Sequence, residues 1–198
     1  MKFTLFSVDA GSDFTKTKHL IKFLSDDELS IFHYVDFNEY LTHVVFHLKD
    51  EYLFGTKKSG NQVHMPVNQY INAFFDKRSN LVFLELINEK YCDEVLKFLG
   101  VEGIKLHKYT ITNNLIIGVL EKLKGFVKSV DVTDENDEEV SYESVKKETL
   151  QEIIDKECQI NHILMLCGSY FVSMTNTGIV SINNNDLDTL TELVGAFT

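Results

Sequence analysis

The sequence contains a single proline, Pro66, and no tryptophan in its 198 residues. A chain of this length with average composition would contain about ten prolines. This scarcity excludes a proline-rich linker between domains and leaves most loops without a residue that stiffens the backbone. Hydrophobic residues make up 44% of the chain and charged residues 25%, which predicts a folded protein with a substantial core.

Cysteine is also scarce and has no pairing pattern. The three cysteines are Cys92, Cys158 and Cys167, an odd number without the spacing of a disulfide framework, so we expect reduced thiols and a cytoplasmic location. The sequence has no apolar leader segment and no run of about 18 apolar residues. We therefore expect no membrane among the partners.

Basic residues are outnumbered, with 19 Lys and Arg against 30 Asp and Glu, which gives a net charge of −11. Residues 1–100 carry 11 basic and 14 acidic groups, whereas residues 101–198 carry 8 and 16. This charge repels phosphate backbones, so it argues against nucleic acid and favours a protein partner with a basic surface. It also leaves open an acidic inhibitor that mimics nucleic acid.

A pattern that occurs twice predicts how the chain is built. The copies span residues 43–75 and 162–197, and each reads as an apolar hairpin, a third short strand near a glycine, and a closing helix. A β-α-β unit precedes each copy in this interpretation. We therefore predict an α+β fold of mixed β-sheets with packed helices, formed as two related halves by an internal duplication. The alternative is that the pattern recurs by chance.

The predicted halves are an N-terminal α/β half over 1–78 and a C-terminal α/β half over 79–198. In the second half, residues 112–158 form an insertion of helix, strand, acidic loop and helix, the last over about 142–157. Asn88 and Thr112 are predicted to cap helices that follow them.

Residues 29–37 are ambiguous between strand and helix. The preceding segment Ser25–Glu28 matches a capping box, which indicates a helix start. The residues themselves are rich in β-branched and aromatic side chains, which favour a strand. We prefer the strand.

The turn after the first predicted strand is the candidate phosphate-binding site. Backbone N–H groups, hydroxyls and lysines close to a strand end are able to surround a phosphate. The segment Val8–Lys18 resembles the first phosphate loop of actin-like sugar kinases, although the second loop and the adenosine site of that family are missing. The candidate residues are Asp9, Ser12, Asp13, Lys16 and Lys18.

An acidic segment over 131–139 is the candidate site for a protein partner. It contains no glycine and therefore does not match an EF-hand calcium loop, which needs glycine at its sixth position. A solvated loop is the simplest interpretation, and an electrostatic docking site for a basic partner is the functional one. The candidate residues are Asp134, Glu135, Asp137, Glu138 and Glu139.

No group of residues predicts catalysis or a metal site. His43 and His47 on a strand would lie roughly 13 Å apart, too far to chelate one ion. Cys167 could in principle pair with His162 or His107, but a cysteine at the end of an apolar strand more often packs as a small hydrophobic residue.

Aromatic residues are in surplus in the first half, and some of them could form a contact surface. The residues in question are Tyr34, Phe37, Tyr40, Tyr70, Phe74 and Phe75.

The sequence as a whole favours a non-enzymatic, cytoplasmic protein–protein interaction or regulatory module without a cofactor. It leaves open whether this module forms a homodimer. The alternative is a small phosphate- or nucleotide-binding enzyme or switch that uses the Asp9–Lys18 turn. The second alternative is the acidic mimic of nucleic acid named above.

Overall fold

Strands dominate the computed structural model, which describes residues 1–21, 28–55, 60, 62–156 and 158–198. In chain order the strands are β1 (Lys2–Val8), β2 (Leu29–Asp36), β3 (Leu41–Gly55), β4 (Gln62–Asp76), β5 (Leu81–Glu85), β6 (Leu106–Lys108), β7 (Phe126–Thr133), β8 (Glu139–Glu143), β9 (Gln159–Cys167), β10 (Tyr170–Thr175) and β11 (Ile179–Ile182). The helices are a 3-10 helix (Phe14–Leu20), α1 (Glu89–Val101), α2 (Asn113–Lys122), α3 (Lys147–Asp155) and α4 (Leu187–Gly195).

These elements group into two compact units. The first contains Met1–Ser7, Arg78–Leu86 and His107–Thr198, and the second contains Val8–Lys77 and Ile87–Leu106. Each unit is discontinuous in the sequence. The predicted division of the chain into halves at residue 78 stays a prediction.

The first unit is an antiparallel sheet with the strand order β5-β1-β11-β10-β9-β7-β8 and with β6 beside β1. Phe3 on the central strand β1 pairs with Glu85 on one side and Val180 on the other. The ring of Phe83 lies 6.3 Å from that of Phe3 and 5.2 Å from that of Phe197, both in edge-to-face contact. These buried rings form part of the core of the unit.

The second unit is a sheet with the order β2-β3-β4 and with α1 on one face. β3 and β4 pair without interruption from Leu41 opposite Asp76 to Gly55 opposite Gln62. In β3 the side chains alternate, and Val44, Phe46 and Leu48 are buried. The ring of Phe98 on α1 packs against Phe46 with 6.3 Å between their centroids, so α1 covers the apolar face of this sheet.

The predicted fold class is wrong. Strands account for 46% of the described residues and helices for 25%, and the eleven strands in this part of the chain pair antiparallel. The architecture is therefore a mainly antiparallel β-sheet with a few short helices, and not an α+β fold of mixed sheets with packed helices. The two copies of the duplicated pattern also differ in structure. The second copy is the predicted meander β9-β10-β11 followed by α4, but the first copy forms two long strands.

The error in the first copy has a physical cause. Val67, Tyr70, Ile71, Phe74 and Phe75 have helical spacing in the sequence. In the structure they lie on β4, where residues 73–76 are all buried, so that this end of the strand does not alternate between apolar and polar residues. Without that alternation, a strand is easily mistaken for a helix from its sequence.

A second error concerns residues 47–51, a mostly polar segment that the hairpin predicted within 43–75 requires to be its turn. They continue β3 without interruption. Polar residues are common in a strand that is exposed to solvent, and β3 is exposed from Glu51 onward.

Other local predictions are confirmed. Residues 29–36 form the preferred strand, β2, although residues 22–27, which include most of the capping-box match, lie outside the described residues. Asn88 and Thr112 cap α1 and α2 by accepting the backbone N–H of the residue three positions later. The predicted helix over 142–157 is shorter, because residues 139–143 form β8 and α3 begins only at Lys147.

Two glycines test the packing of the first unit. Gly178 has φ +85°, and a Cβ placed there would lie 2.1 Å from the carbonyl oxygen of Tyr109. We expect Gly178→Ala to lower the free energy of unfolding by about 2–5 kcal/mol. Gly118 lies inside α2, and a Cβ there meets no atom within 4 Å. The control Gly118→Ala should raise the free energy by about 0.5–1 kcal/mol. Urea unfolding measures both, and equal stabilities of the two variants would contradict this packing.

Candidate functional site

The candidate phosphate-binding turn uses its own polar groups to hold its conformation. The Asp9 carboxylate accepts the N–H of Ala10 at 3.0 Å, and the Asp9 carbonyl accepts the N–H of Ser12 at 2.8 Å. The Ser12 hydroxyl accepts the N–H of Lys105 at 3.0 Å and donates to the carbonyl of Gly103 at 3.2 Å. Ser12 therefore ties this turn to the segment after α1.

Asp13 and Lys18 are also engaged in local interactions. Asp13 caps the 3-10 helix by accepting the N–H and the hydroxyl of Thr15 at 2.9 and 2.6 Å, and these bonds lower its pKa. Lys18 lies 4.0 Å from Asp36 and 5.7 Å from the ring centroid of Tyr34. Lys16 is exposed. Phosphate binding at this turn stays a prediction, and the N–H and the hydroxyl of Ser12, two of the donors that it would use, already bond within the protein.

The acidic segment forms the end of the β7–β8 hairpin. Thr133 pairs with Glu139, so only residues 134–138 lie outside the strands. The Asp134 carboxylate accepts the N–H groups of Glu138 and Asn136 at 2.9 and 2.8 Å, which lowers its pKa. Its predicted role in partner binding stays untested. What the structure adds is that Asp134 stabilises the turn, whereas Glu135, Asp137, Glu138 and Glu139 are exposed.

The histidines of β3 lie on the sheet surface, as the sequence suggested. The imidazole of His43 is stacked between Phe37 and Phe74, at 5.6 and 4.6 Å between centroids, and its Nε2 lies 3.0 Å from Oδ1 of Asn72. Farther along the same face, His47 packs against Tyr70 at 5.1 Å. Within the described residues, no three His, Cys, Asp or Glu side chains are grouped in a way that could hold a metal ion.

Cys167 packs in the core, and its thiol is protonated at neutral pH. Only 2% of the residue is exposed. Burial, with a smaller effect from Glu192, raises the pKa of its thiol to about 11. His162 lies five residues earlier on β9, so the two side chains point to opposite faces of the strand. A reactive Cys–His pair with His162 is therefore not formed.

The second unit has an exposed apolar surface that the sequence did not predict. β3 pairs with β2 only as far as Leu48 opposite Leu29, but it continues with β4 to Gly55. We call residues 49–55 and 62–68 the β3–β4 arm. The side chains of Val44, Phe46 and Leu48 that face α1 are followed, on the same face, by Asp50 and then by the apolar residues of the arm.

Four apolar side chains of this arm share the face that α1 covers elsewhere. Tyr52 pairs with Met65, and Phe54 pairs with Val63. We call these four residues the arm face; their exposed fractions are 51%, 52%, 55% and 62%, respectively. Exposed clusters of large apolar residues are uncommon on proteins without a binding partner.

α1 contacts this face at Asp50, two residues before the arm face begins on β3. The hydroxyl of Tyr91 donates a hydrogen bond to the Asp50 carboxylate. This bond raises the pKa of Tyr91 to about 12 and lowers that of Asp50. The Tyr91–Asp50 bond thus marks the boundary between the covered and the exposed part of the face.

A second exposed apolar feature lies in the first unit, between α2 and α3. It is a groove of about 580 Å³. Val127, Val145 and Leu150 are buried, whereas Ile117, Leu120 and Ile154 are half-buried and Phe126 is 50% exposed. The sequence analysis missed the groove because it depends on how two separate helices pack.

The arm face could have been found from the sequence. Tyr52 and Phe54 alternate with other residues, as do Val63 and Met65, and such alternation indicates one apolar face on each strand. The signal was lost because the polar residues before Tyr52 were assigned to a turn and the residues after Val67 to a helix. Of the aromatic residues singled out in the sequence, Tyr40 and Tyr70 are exposed, whereas Phe74 and Phe75 are buried.

A comparison with protein-family models and with curated proteins finds no match for this chain. The residues and their geometry are therefore the basis for any functional conclusion. Among the helices that the structure describes, none has both the length and the apolar character needed to cross a membrane.

The stacked His43 predicts a pH dependence of stability. Burial lowers its pKa from the ordinary value of 6.5; the bond to Asn72 acts in the opposite direction, and His33 lowers it further. Below pH 6.5 the unfolded chain therefore binds more protons than the folded one, so the free energy of unfolding falls as the pH decreases and levels off below the folded pKa.

Urea unfolding at pH 7.5, 6.5 and 5.5 measures this effect. In His43→Phe the free energy of unfolding should decrease less between pH 7.5 and 5.5 than in the wild type. The titrating group is gone, while an aromatic ring remains between Phe37 and Phe74. The control Phe32→Leu changes an exposed ring on the same face and should keep the wild-type decrease. An unchanged decrease in His43→Phe would show that His43 is not its source.

Proposed function

We propose that the protein is a non-enzymatic protein–protein interaction module of a reducing, cytoplasmic compartment. The arm face is the single observation that carries this proposal. It continues the buried face of β3 past the end of α1, and all four of its side chains are at least half exposed. The three free cysteines are consistent with the compartment.

We commit to a second copy of this chain as the occupant of the arm face. The arm carries Lys49 against Asp50 and Glu51, a net charge of −1. The chain has a net charge of −11, so the remainder has −10. Two copies repel each other over most of their surface, and the arm is where they approach with little of this repulsion. An apolar face that meets its own copy forms a two-fold symmetric contact.

The size of the contact indicates a weak dimer. Covering a half-exposed large apolar side chain contributes roughly 1–1.5 kcal/mol, about half of the value for complete burial. Eight such side chains, four from each copy, contribute roughly 8–12 kcal/mol, and an association cost of at least ~4 kcal/mol leaves a net of at most roughly 4–8 kcal/mol. We therefore expect a dissociation constant in the micromolar to millimolar range.

Pro66 in the arm disfavours the pairing of another strand with the edge of the arm. A second copy is therefore expected to pack on the arm face. Pro66 lies on β4 opposite Glu51. Because proline has no N–H to donate, it discourages the addition of another strand. The opposite face of the arm is polar in part, since Glu51 lies 3.0 Å from His64 there.

The test is the mass of the protein in solution as a function of concentration. We expect the wild type to shift from monomer to dimer between about 1 µM and 1 mM, as the estimated affinity requires. The double variant Tyr52→Ser, Phe54→Ser should stay monomeric over that range, because it removes half of the arm face.

The matched control is Leu53→Ser, which removes an equally exposed side chain, 56%, from the opposite face of the same strand. It should dimerise like the wild type. A wild type that is monomeric at every concentration would contradict the proposal, and so would equal loss of dimer in Leu53→Ser. Circular dichroism establishes that each variant is folded.

The two alternatives from the sequence have weaker support. A phosphate- or nucleotide-dependent activity would use Asp9, Ser12 and Asp13, whose polar groups already bond within the protein. An acidic mimic of nucleic acid would use the β7–β8 hairpin, where the exposed carboxylates are confined to one short turn. Neither alternative accounts for the apolar arm face.

A further inference from the structure

The groove between α2 and α3 is a second apolar surface, independent of the arm face. Its buried base includes Val127, Val145 and Leu150, and its sides include Ile117, Leu120 and Ile154. Helices that pack fully against each other leave no such volume, which here is about 580 Å³. The sides of the groove are therefore available to an apolar group from outside.

Acidic side chains border this groove on the α3 side. A shallower depression of about 400 Å³, lined by Glu148, Gln151, Glu152 and Asp155, adjoins the groove and shares Glu148 and Gln151 with it. With Glu121 on α2, four carboxylates border the two depressions, against two lysines, Lys124 and Lys146, among the side chains that the structure describes. The border thus has a net negative charge, and the whole chain adds to the attraction of cations.

We propose that this groove binds an amphipathic helix of another protein, with the apolar face of that helix in the groove and a basic polar face toward α3. Helix-in-groove recognition needs apolar side chains at positions i, i+3 or i+4, and i+7, which span about two turns. α3 has nine residues, which corresponds to about 13 Å of helix. A partner helix of two to three turns therefore matches the length of the groove. Its lysine or arginine side chains pair with Glu148, Glu152 and Asp155.

The charge arrangement selects this occupant over others. A second copy of the chain would bring its own excess of carboxylates to the acidic border, so repulsion disfavours it. A purely apolar small molecule would fill the groove without using the charged border. A basic amphipathic helix satisfies both features at the same time.

Two synthetic peptides of eighteen residues test this proposal with the full chain. Both have leucine at positions i, i+3, i+4 and i+7, and their polar faces consist of lysine in one and glutamate in the other. We expect the lysine peptide to bind at least tenfold more tightly than the glutamate peptide in fluorescence anisotropy. Its affinity should decrease as salt is raised from 50 to 500 mM, because exposed charges are screened.

Charge-reversal variants separate the groove from general attraction to an acidic protein. The double variant Glu148→Lys, Glu152→Lys changes the border of the groove. The matched control Glu135→Lys, Glu138→Lys makes the same change in net charge at the exposed end of the β7–β8 hairpin. We expect the first variant to lose at least tenfold in affinity for the lysine peptide, and the control to lose less than threefold.

Apolar variants test the groove itself. Ile117→Asp places a charge on its side and should abolish binding of both peptides. Val101→Asp, at a position that is 79% exposed on α1 and does not line the groove, should bind like the wild type. Thermal unfolding establishes that each variant is folded; if Ile117→Asp is not, the charge-reversal pair decides.

Several outcomes would overturn the proposal. Equal binding of both peptides, or of neither, would exclude recognition of a basic helix. If the two charge-reversal variants lost the same affinity for the lysine peptide, the binding would be non-specific attraction to an acidic protein. If only the hairpin variant lost affinity, the partner site would lie at Glu135 and Glu138. If an apolar dye binds in the groove and neither peptide displaces it, the groove would be a site for a small molecule instead of a helix. The mass of the protein alone, measured in parallel, keeps this test separate from self-association through the arm face.

Discussion

The pairing of β3 with β4 is the interaction on which the second unit depends. It runs over fifteen residues in one register, from Leu41 opposite Asp76 to Gly55 opposite Gln62. Because side chains alternate along a strand, this register determines which residues face α1 and which face away. A shift by one residue would expose Phe46 and Ile71 and bury His43 and Asn72. The buried aliphatic and aromatic pairs near Phe46 therefore fix the register, and the arm has the same register because the two strands pair without interruption.

The same register produces the exposed surface. The apolar stripe that is buried under α1 continues into the arm, where it remains uncovered beyond the Tyr91–Asp50 hydrogen bond. Extending two strands past their sheet exposes backbone and apolar side chains, which costs stability unless something covers them. The proposed self-association through the arm face would give this extension a role. The α2–α3 groove adds a surface of different character in the first unit, since its border carries several acidic side chains while the arm is close to neutral.

Much of the local structure could be predicted from the sequence, but the architecture could not. The caps at Asn88 and Thr112 and the strand β2 follow from side-chain chemistry within a few residues. Residues 67–75 were predicted to form a helix. They form a strand because they pair with residues up to thirty-five positions away. A strand end that is buried throughout shows no alternation of apolar and polar residues, so nothing in the local sequence indicates this pairing. The candidate sites followed charged and polar residues, whereas both surfaces proposed here are apolar. The groove depends on how two helices pack and is not visible in a short window of sequence. The arm face has a local signal, the alternation in 52–54 and 63–65, but its extent depends on the pairing of two strands.

The central claim is that a second copy of the chain covers the arm face. Amide hydrogen–deuterium exchange over residues 50–55 and 62–67 tests it most directly, at one protein concentration well below the dissociation constant and one well above it. The account predicts slower exchange in these two segments at the high concentration, with unchanged exchange in β9 and β10 of the first unit. Equal exchange of the arm at both concentrations, in a sample whose mass does increase, would place the contact elsewhere and contradict the account.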